Sequence, residues 1–198
     1  MGHACYEIKD SDRTRIVLSI ADAHQFQRIA ARLWDPGEFL SEHGVRSLSK
    51  YHEAHPFQFG NSSVGYEPGE SQVALKGGNS NWRGPIWFPT SYLLIQTLLK
   101  FHEALGPGAT IASSGDQGVT PHAMAEGIAN RMIRIFTRDA QGRRACFGQY
   151  GKFQEDPHWH DCLLFNEYYH GDTGAGLGAS HQTGWSGLVA NLIDEWRR

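Results

Sequence analysis

An all-α chain, with helices joined by glycine-rich loops, is the fold class the sequence predicts, and three observations predict it. Apolar residues return at helical spacing in separate stretches, strand-like alternation is weak throughout, and glycine, 23 of 198 residues, recurs in the connections. Residues 1–18 are polar and without a sustained period, which reads as an irregular end. Ser19 with Asp22 resembles a capping pair, and Ala23, Phe26, Ala30 and Leu33 then repeat on one helical face until Asp35 and Pro36 stop the helix. Between Gly44 and Trp87 no apolar period survives, yet Tyr51, Phe57, Phe59, Tyr66, Trp82 and Trp87 make disorder a poor description. A second helix starts near Pro89 and ends at Gly106-Pro107, with Leu94, Leu98, Phe101 and Leu105 as its apolar stripe. The stripe is widened by Ile95 and Leu99, so this helix belongs inside. A third follows Thr120 and Pro121, placing Ala125, Ile128, Met132, Ile135 and Phe136 on one side. Residues 143–160 read as loop, with Asp156-Pro157 capping a short helix through Leu163 and Leu164. A last helix is marked by Trp185, Leu188, Val189, Leu192, Ile193 and Trp196. Helical hairpins whose long loops gather at one end make a loop-lined cavity, an architecture for ligand binding.

Composition narrows the ligand. A formal charge of -3, from 18 basic and 21 acidic residues with no basic block, speaks against nucleic acid or a membrane surface as partner. The longest apolar region, residues 92–105, is interrupted by Gln96, Thr97, Lys100, His102 and Glu103, so no membrane span is expected. Cys5, Cys146 and Cys162 are odd in number and scattered, which gives neither a disulfide framework nor a zinc knuckle and favours a reducing, cytoplasmic compartment. His158 and His160 beside Asp161 and Cys162 lack metal-ligand spacing and a third ligand, so no metal and no cofactor is expected.

Two loops carry the chemistry. Residues 77–89 read GGNSNWRGPIWFP and display Asn79, Asn81, Trp82, Arg83 and Trp87 among glycines and prolines that forbid regular structure. Tryptophan faces stack on the C–H faces of a sugar ring, while guanidinium and amide groups bond its hydroxyls. The second loop, residues 165–185, sets Glu167 and Asp172 beside Tyr168, Tyr169 and His170, followed by a run of glycines. It is no dinucleotide fingerprint, because no strand precedes GAGLGA and no apolar-faced helix opens from it. A carboxylate among aromatic rings instead suits proton transfer at a carbohydrate, where two carboxyl groups commonly share the work. A loop glutamate is more often simply solvated, and an Asp before Thr-Gly is an ordinary turn residue.

The block at residues 77–89, together with RLWDPGEFLSEHGVRSLSKYH at 32–52, VGYEPGES at 64–71 and EYYHGDTGAGLGASHQTGWSGLVA at 167–190, resembles the C-terminal catalytic part of glycoside hydrolase family 63-like proteins. The resemblance covers residues 33–193. It implies part of an (α/α)6 toroid, hydrolysis of an α-glucoside with inversion, and Glu167 as general base. It also implies that Trp82, Arg83, Gly84, Pro85 and Trp87 line the sugar subsite with Asn81, and that Arg46 and Gln182 are further contacts. The family's general acid is an aspartate of a preceding block, and Asp10, Asp12 and Asp22 do not match it. Residues 1–198 are therefore expected to be the C-terminal portion of such a domain, with an oligosaccharide or small glycoside as substrate and the missing N-terminal half as partner. The alternative is a catalytically incomplete carbohydrate-binding or assembly fragment. Either way, apolar helix faces left open should favour association.

Overall fold

A computed structural model of the chain describes residues 4–10, 13–72, 81–111 and 118–197. Asn79, with the rest of 77–80, lies outside them. The described residues are rich in helix but also form four two-stranded antiparallel hairpins, so all-α is too narrow a description. The first hairpin, β1 (Ala4–Asp10) with β2 (Arg13–Ser19), replaces the irregular end expected there, and Ala4 faces Ser19 at its open end. β-Branched Thr14, Ile16 and Val17 favour the extended backbone, which polar neighbours had masked as a pattern.

Helix α1 (Ala23–Leu33) is capped three residues later than the sequence suggests. The Asp22 carboxylate accepts the Gln25 N–H at 2.8 Å and the Gln25 amide oxygen accepts the Asp22 N–H at 2.9 Å, while Ser19 closes β2. Two short hairpins follow, β3 (Leu40–Ser41) with β4 (Gly44–Val45) and β5 (Phe57–Phe59) with β6 (Ser62–Val64). Helix α2 (Phe88–Leu105) has proline in its first turn, and helix α3 (Pro121–Phe136) is capped by the Thr120 hydroxyl on the Ala123 N–H at 3.1 Å. Both ends agree with the reading from sequence.

The core is built on α3. Met124, Ala125, Ile128, Ala129, Met132, Ile133, Ile135 and Phe136 are all buried, and α2 and α6 (Val189–Trp196) pack against this helix. Burying each larger side chain is worth about 1.5–3 kcal/mol, which fixes α3 as the fold's centre. The other short elements are α4 (Gly151–Glu155), the hairpin β7 (Tyr168–Tyr169) with β8 (Gly176–Leu177), and α5 (Thr183–Ser186). Helix α4 precedes Asp156 instead of following it, because the Asp156 carboxylate accepts the His158 N–H at 2.8 Å in a turn. The last helix is likewise divided, α5 ending before Gly187 and α6 starting at Val189. Ile16, Leu18 and Ile20, with Ile29 of α1 and Leu93 of α2, remain exposed.

Candidate active site

Short stretches of backbone assemble the site. Arg46, just beyond β4, bridges Ile86, and Ile86 exchanges two main-chain hydrogen bonds with Tyr169, at 2.8 and 2.9 Å. Tyr169 in turn pairs with Gly176 across β7 and β8. Four remote segments thus lie side by side. Further main-chain bonds run from Glu67 N–H to Arg83 O at 2.7 Å and from Gly171 N–H to Pro68 O at 2.8 Å, drawing residues 66–71 around the same centre. Gly84 makes this approach possible: its φ is +148°, and a Cβ there would lie 2.8 Å from both Glu67 O and the Tyr66 ring.

Rings stack on this frame. Trp82 and Trp87 lie face to face with centroids 4.0 Å apart and planes 5° from parallel, and Trp87 stacks on Tyr168 at 4.8 Å. Trp185 meets Trp87 edge-on at 6.1 Å. Exposure separates their roles, since Trp87 and Tyr168 are 3% exposed while Trp82 and Trp185 are 40% and 37%. The open platforms are Trp82 and Trp185, and the Trp87 indole is held from behind by Nε1–H donation to Asn81 O at 3.0 Å. The sequence puts Trp185 at the end of the second loop and at the start of the last helix, without marking it as a sugar platform. Its place beside the carboxylate loop was the available signal.

Glu167 is half-buried next to Tyr168, its N–H donating to Ala179 O at 2.8 Å and its Oε2 accepting the Ala179 N–H at 3.4 Å. A side chain at Gly178, where φ is +66°, would stand 2.8 Å from that oxygen, so glycine there leaves the carboxylate its space. The Tyr168 phenol is pushed up to about 12 by burial first and then by the charges of Glu70 and Glu167, so its hydroxyl stays neutral.

The predicted arginines serve different ends. Arg83 Nη2 donates to Glu67 Oε2 at 2.9 Å and to Ser71 Oγ at 2.6 Å, and Asn81 Oδ1 accepts the Ser71 N–H at 3.2 Å. Arg46 is buried, and all three of its nitrogens are engaged within the protein. Nη1 donates to Pro36 O at 3.2 Å and to Leu40 O, Nε to Tyr66 Oη at 3.0 Å, and Nη2 to Asp172 Oδ1 at 3.0 Å. The Tyr66 hydroxyl also donates to Asp172 at 3.0 Å, and Lys50 lies 3.5 Å away. Burial pushes the Asp172 carboxyl up, but the bonds from Arg46 and Tyr66 and the charges of Arg46 and Lys50 outweigh it and hold the group below its usual value. Asp172, the competing carboxylate of this loop, is thus an ionised anchor. The sequence marks Tyr66 as one aromatic among several, Glu67 as a loop-stabilising or outer-subsite carboxylate and Ser71 as a motif member, and it is the fold that joins them to Arg46 and Arg83.

The remaining candidates lie on the same frame. Pro85 is fully buried and its carbonyl accepts the Ser47 N–H at 3.1 Å. Gln182 precedes α5, half-buried, and its N–H donates to Phe165 O at 2.8 Å. A cavity of about 1020 Å³ opens between the end of β2, α1 and the start of α2; Trp82 lines it, as do Ile29, Phe39 and Leu94. Among the described residues no group of three His, Cys, Asp or Glu side chains is placed to hold a metal.

Comparison with known proteins follows the same lines. Residues 14–186 match the family described as mannosylglycerate hydrolase MGH1-like glycoside hydrolase domain. An uncharacterized protein of Saccharomyces cerevisiae is 46% identical over 190 residues, covering 91% of this chain and 17% of its own length. A probable mannosyl-oligosaccharide glucosidase of Schizosaccharomyces pombe is 24% identical, with 88% of this chain and 16% of its own length covered. The mannosyl-oligosaccharide glucosidase of S. cerevisiae is 22% identical, with 85% and 15% covered. The chain therefore spans about a sixth of the length of these relatives. On the match to most of its residues and the distant kinship with these glucosidases, the chain belongs to the MGH1-like glycoside hydrolase domain family and is glycoside hydrolase family 63-like.

Proposed function

We propose that this chain supplies the base-bearing part of an inverting α-glucosidase, in which Glu167 activates water against the anomeric carbon of a glucose-like ring held by Trp82 and Trp185. One observation supports this above others: the stack from Trp82 through Trp87 to Tyr168 brings the exposed indole and the residue next to Glu167 into a single column. Arg83, fixed by Glu67 and Ser71, presents its guanidinium beside that column for sugar hydroxyls, with Asn81 and the Gly84-Pro85 backbone as frame. In this reading Arg46 acts behind the site rather than on the sugar, and Gln182 stands at its edge. The proton donor for the leaving oxygen comes from another segment of an (α/α)6 toroid, consistent with the fraction of the relatives matched here. A neutral oligosaccharide or small glycoside is the partner. The exposed thiol of Cys162 and the buried free thiol of Cys146 fit a cytoplasmic setting.

A glucosyl fluoride tests the base without the acid, because fluoride leaves with little help from a proton. The chain should convert α-glucosyl fluoride to β-glucose, and Glu167→Gln should lower that rate by about 10²–10⁴ while saccharide quenching of tryptophan fluorescence persists. An α-anomeric product, or an unchanged rate in the variant, overturns the assignment. A second reading, sugar binding without turnover, is favoured by the fact that the cavity lined by Trp82 is not lined by Glu167. It predicts fluorescence quenching with no fluoride release.

A further inference from the structure

A second cavity, of about 750 Å³, lies where the C-terminal end of α3 meets the turn before α4. Four arginines, Arg134, Arg138, Arg143 and Arg144, line it against two carboxylates, Glu42 and Asp139. The Asp139 carboxylate is already engaged by its own turn, accepting the Gln141 and Arg143 N–H groups at 2.9 and 2.8 Å. Asp161, which does not line the cavity and is two-thirds exposed, alone accepts from both Arg138, at 2.9 Å, and Arg144, at 3.2 Å. Glu155, more exposed still, is 4.0 Å from Arg143, a separation at which solvent screens the pair almost fully. The balance facing the cavity is positive.

A second observation is independent of charge. Arg144 Nε and His43 Nδ1 are buried without a hydrogen-bond partner among the described residues, and both side chains line this one cavity. Buried polar atoms are nearly always paired, so two orphans around a single hollow need a reason. Burial lowers the affinity of His43 for a proton, opposed by Glu42 and assisted by Arg134, so its ring is neutral and can donate or accept once.

We infer that this cavity binds a small organic oxyanion, its phosphoryl or carboxylate oxygens bridging Arg134, Arg143 and Arg144 with His43 at the wall. Guanidinium forks match such oxygens in planar, paired geometry. The volume suits a metabolite-sized molecule rather than a bare ion. His170, Thr173 and Ala175 also line the cavity, and they belong to the loop that carries Glu167, so an occupant would stiffen that loop from a side the sugar does not touch.

Thermal unfolding of the whole chain tests the assignment, with pyrophosphate and malonate as probes and sodium chloride of equal ionic strength as control. Saturating pyrophosphate or malonate should raise Tm by about 5 °C or more over the chloride control. The stronger of the two probes identifies the source as phosphoryl or carboxylate. Arg134→Ala combined with Arg143→Ala changes two exposed side chains and should abolish the rise while leaving the unliganded Tm within about 2 °C. Glu167→Gln should keep the full rise, which separates failure of this site from failure of the glycosidase assignment. Equal shifts in chloride, or an undiminished rise in the double variant, overturn the proposal. Should the double variant unfold, calorimetric titration of the unmodified chain with pyrophosphate decides instead, absence of binding heat counting against the site.

Discussion

The frame around Arg46 and the amino-terminal hairpin invert the usual relation between sequence character and burial. Residues 44–47, 66–71, 83–87 and 167–176 are glycine-rich and polar, yet they close into an array with Arg46 buried and Asp172 ionised at its heart. Strand β2 carries Ile16 and Leu18 followed by Ile20, the more apolar sequence, and exposes all three. The difference shows that order around Arg46 comes from main-chain pairing and one charged knot between distant segments, while apolar content decides burial in the helical core of α1, α2, α3 and α6.

The strongest way to break that contrast is to remove the knot's cation. Arg46→Ala takes from the half-buried Asp172 carboxylate its guanidinium partner, leaving it Tyr66 and Lys50, and removes the Arg46 donor from the carbonyls of Pro36 and Leu40, and should cost about 3 kcal/mol or more in denaturant unfolding. Arg46→Lys should recover little, since a single ammonium cannot serve the carboxylate and the carbonyls together. Acid titration sharpens the same point with a smaller effect. Because the folded Asp172 carboxyl sits below its ordinary 3.8, its contribution is complete above that value and is lost as pH falls through the folded one. The stability gap between the unmodified chain and Asp172→Asn should therefore be constant near neutrality and close below pH 3.8. The smallest change belongs to the hairpin. Leu18→Thr, on an exposed strand, should shift stability by no more than about 0.5 kcal/mol, and a larger loss would mean that this face is covered in solution.

Much of this was legible in the letters, and the reason differs by element. Helix α2 announces both its ends and α3 its start because proline, threonine and glycine act locally on the backbone, and their stripes persist over four or more turns. The two site loops stood out by composition. What could not be read was their mutual arrangement. Strands of two residues, such as β7 and β8, carry no period, and the bonds joining Ile86 to Tyr169 span more than eighty positions. Nor could Arg46 be told apart from Arg83 as a sugar contact, since burial and partner choice are properties of the assembled fold. The hairpin β1–β2 was missed because its alternation is diluted by Arg13, Arg15 and Ser19.

The Tyr168 phenol keeps its hydrogen up to about pH 12. Beside Glu167 in the chain, it is a hydroxyl that stays neutral under any condition a cell can reach. In the proposed reaction, a water approaching Glu167 would therefore meet beside it a hydroxyl whose charge does not vary with pH, so any change of rate with acidity would have to come from elsewhere.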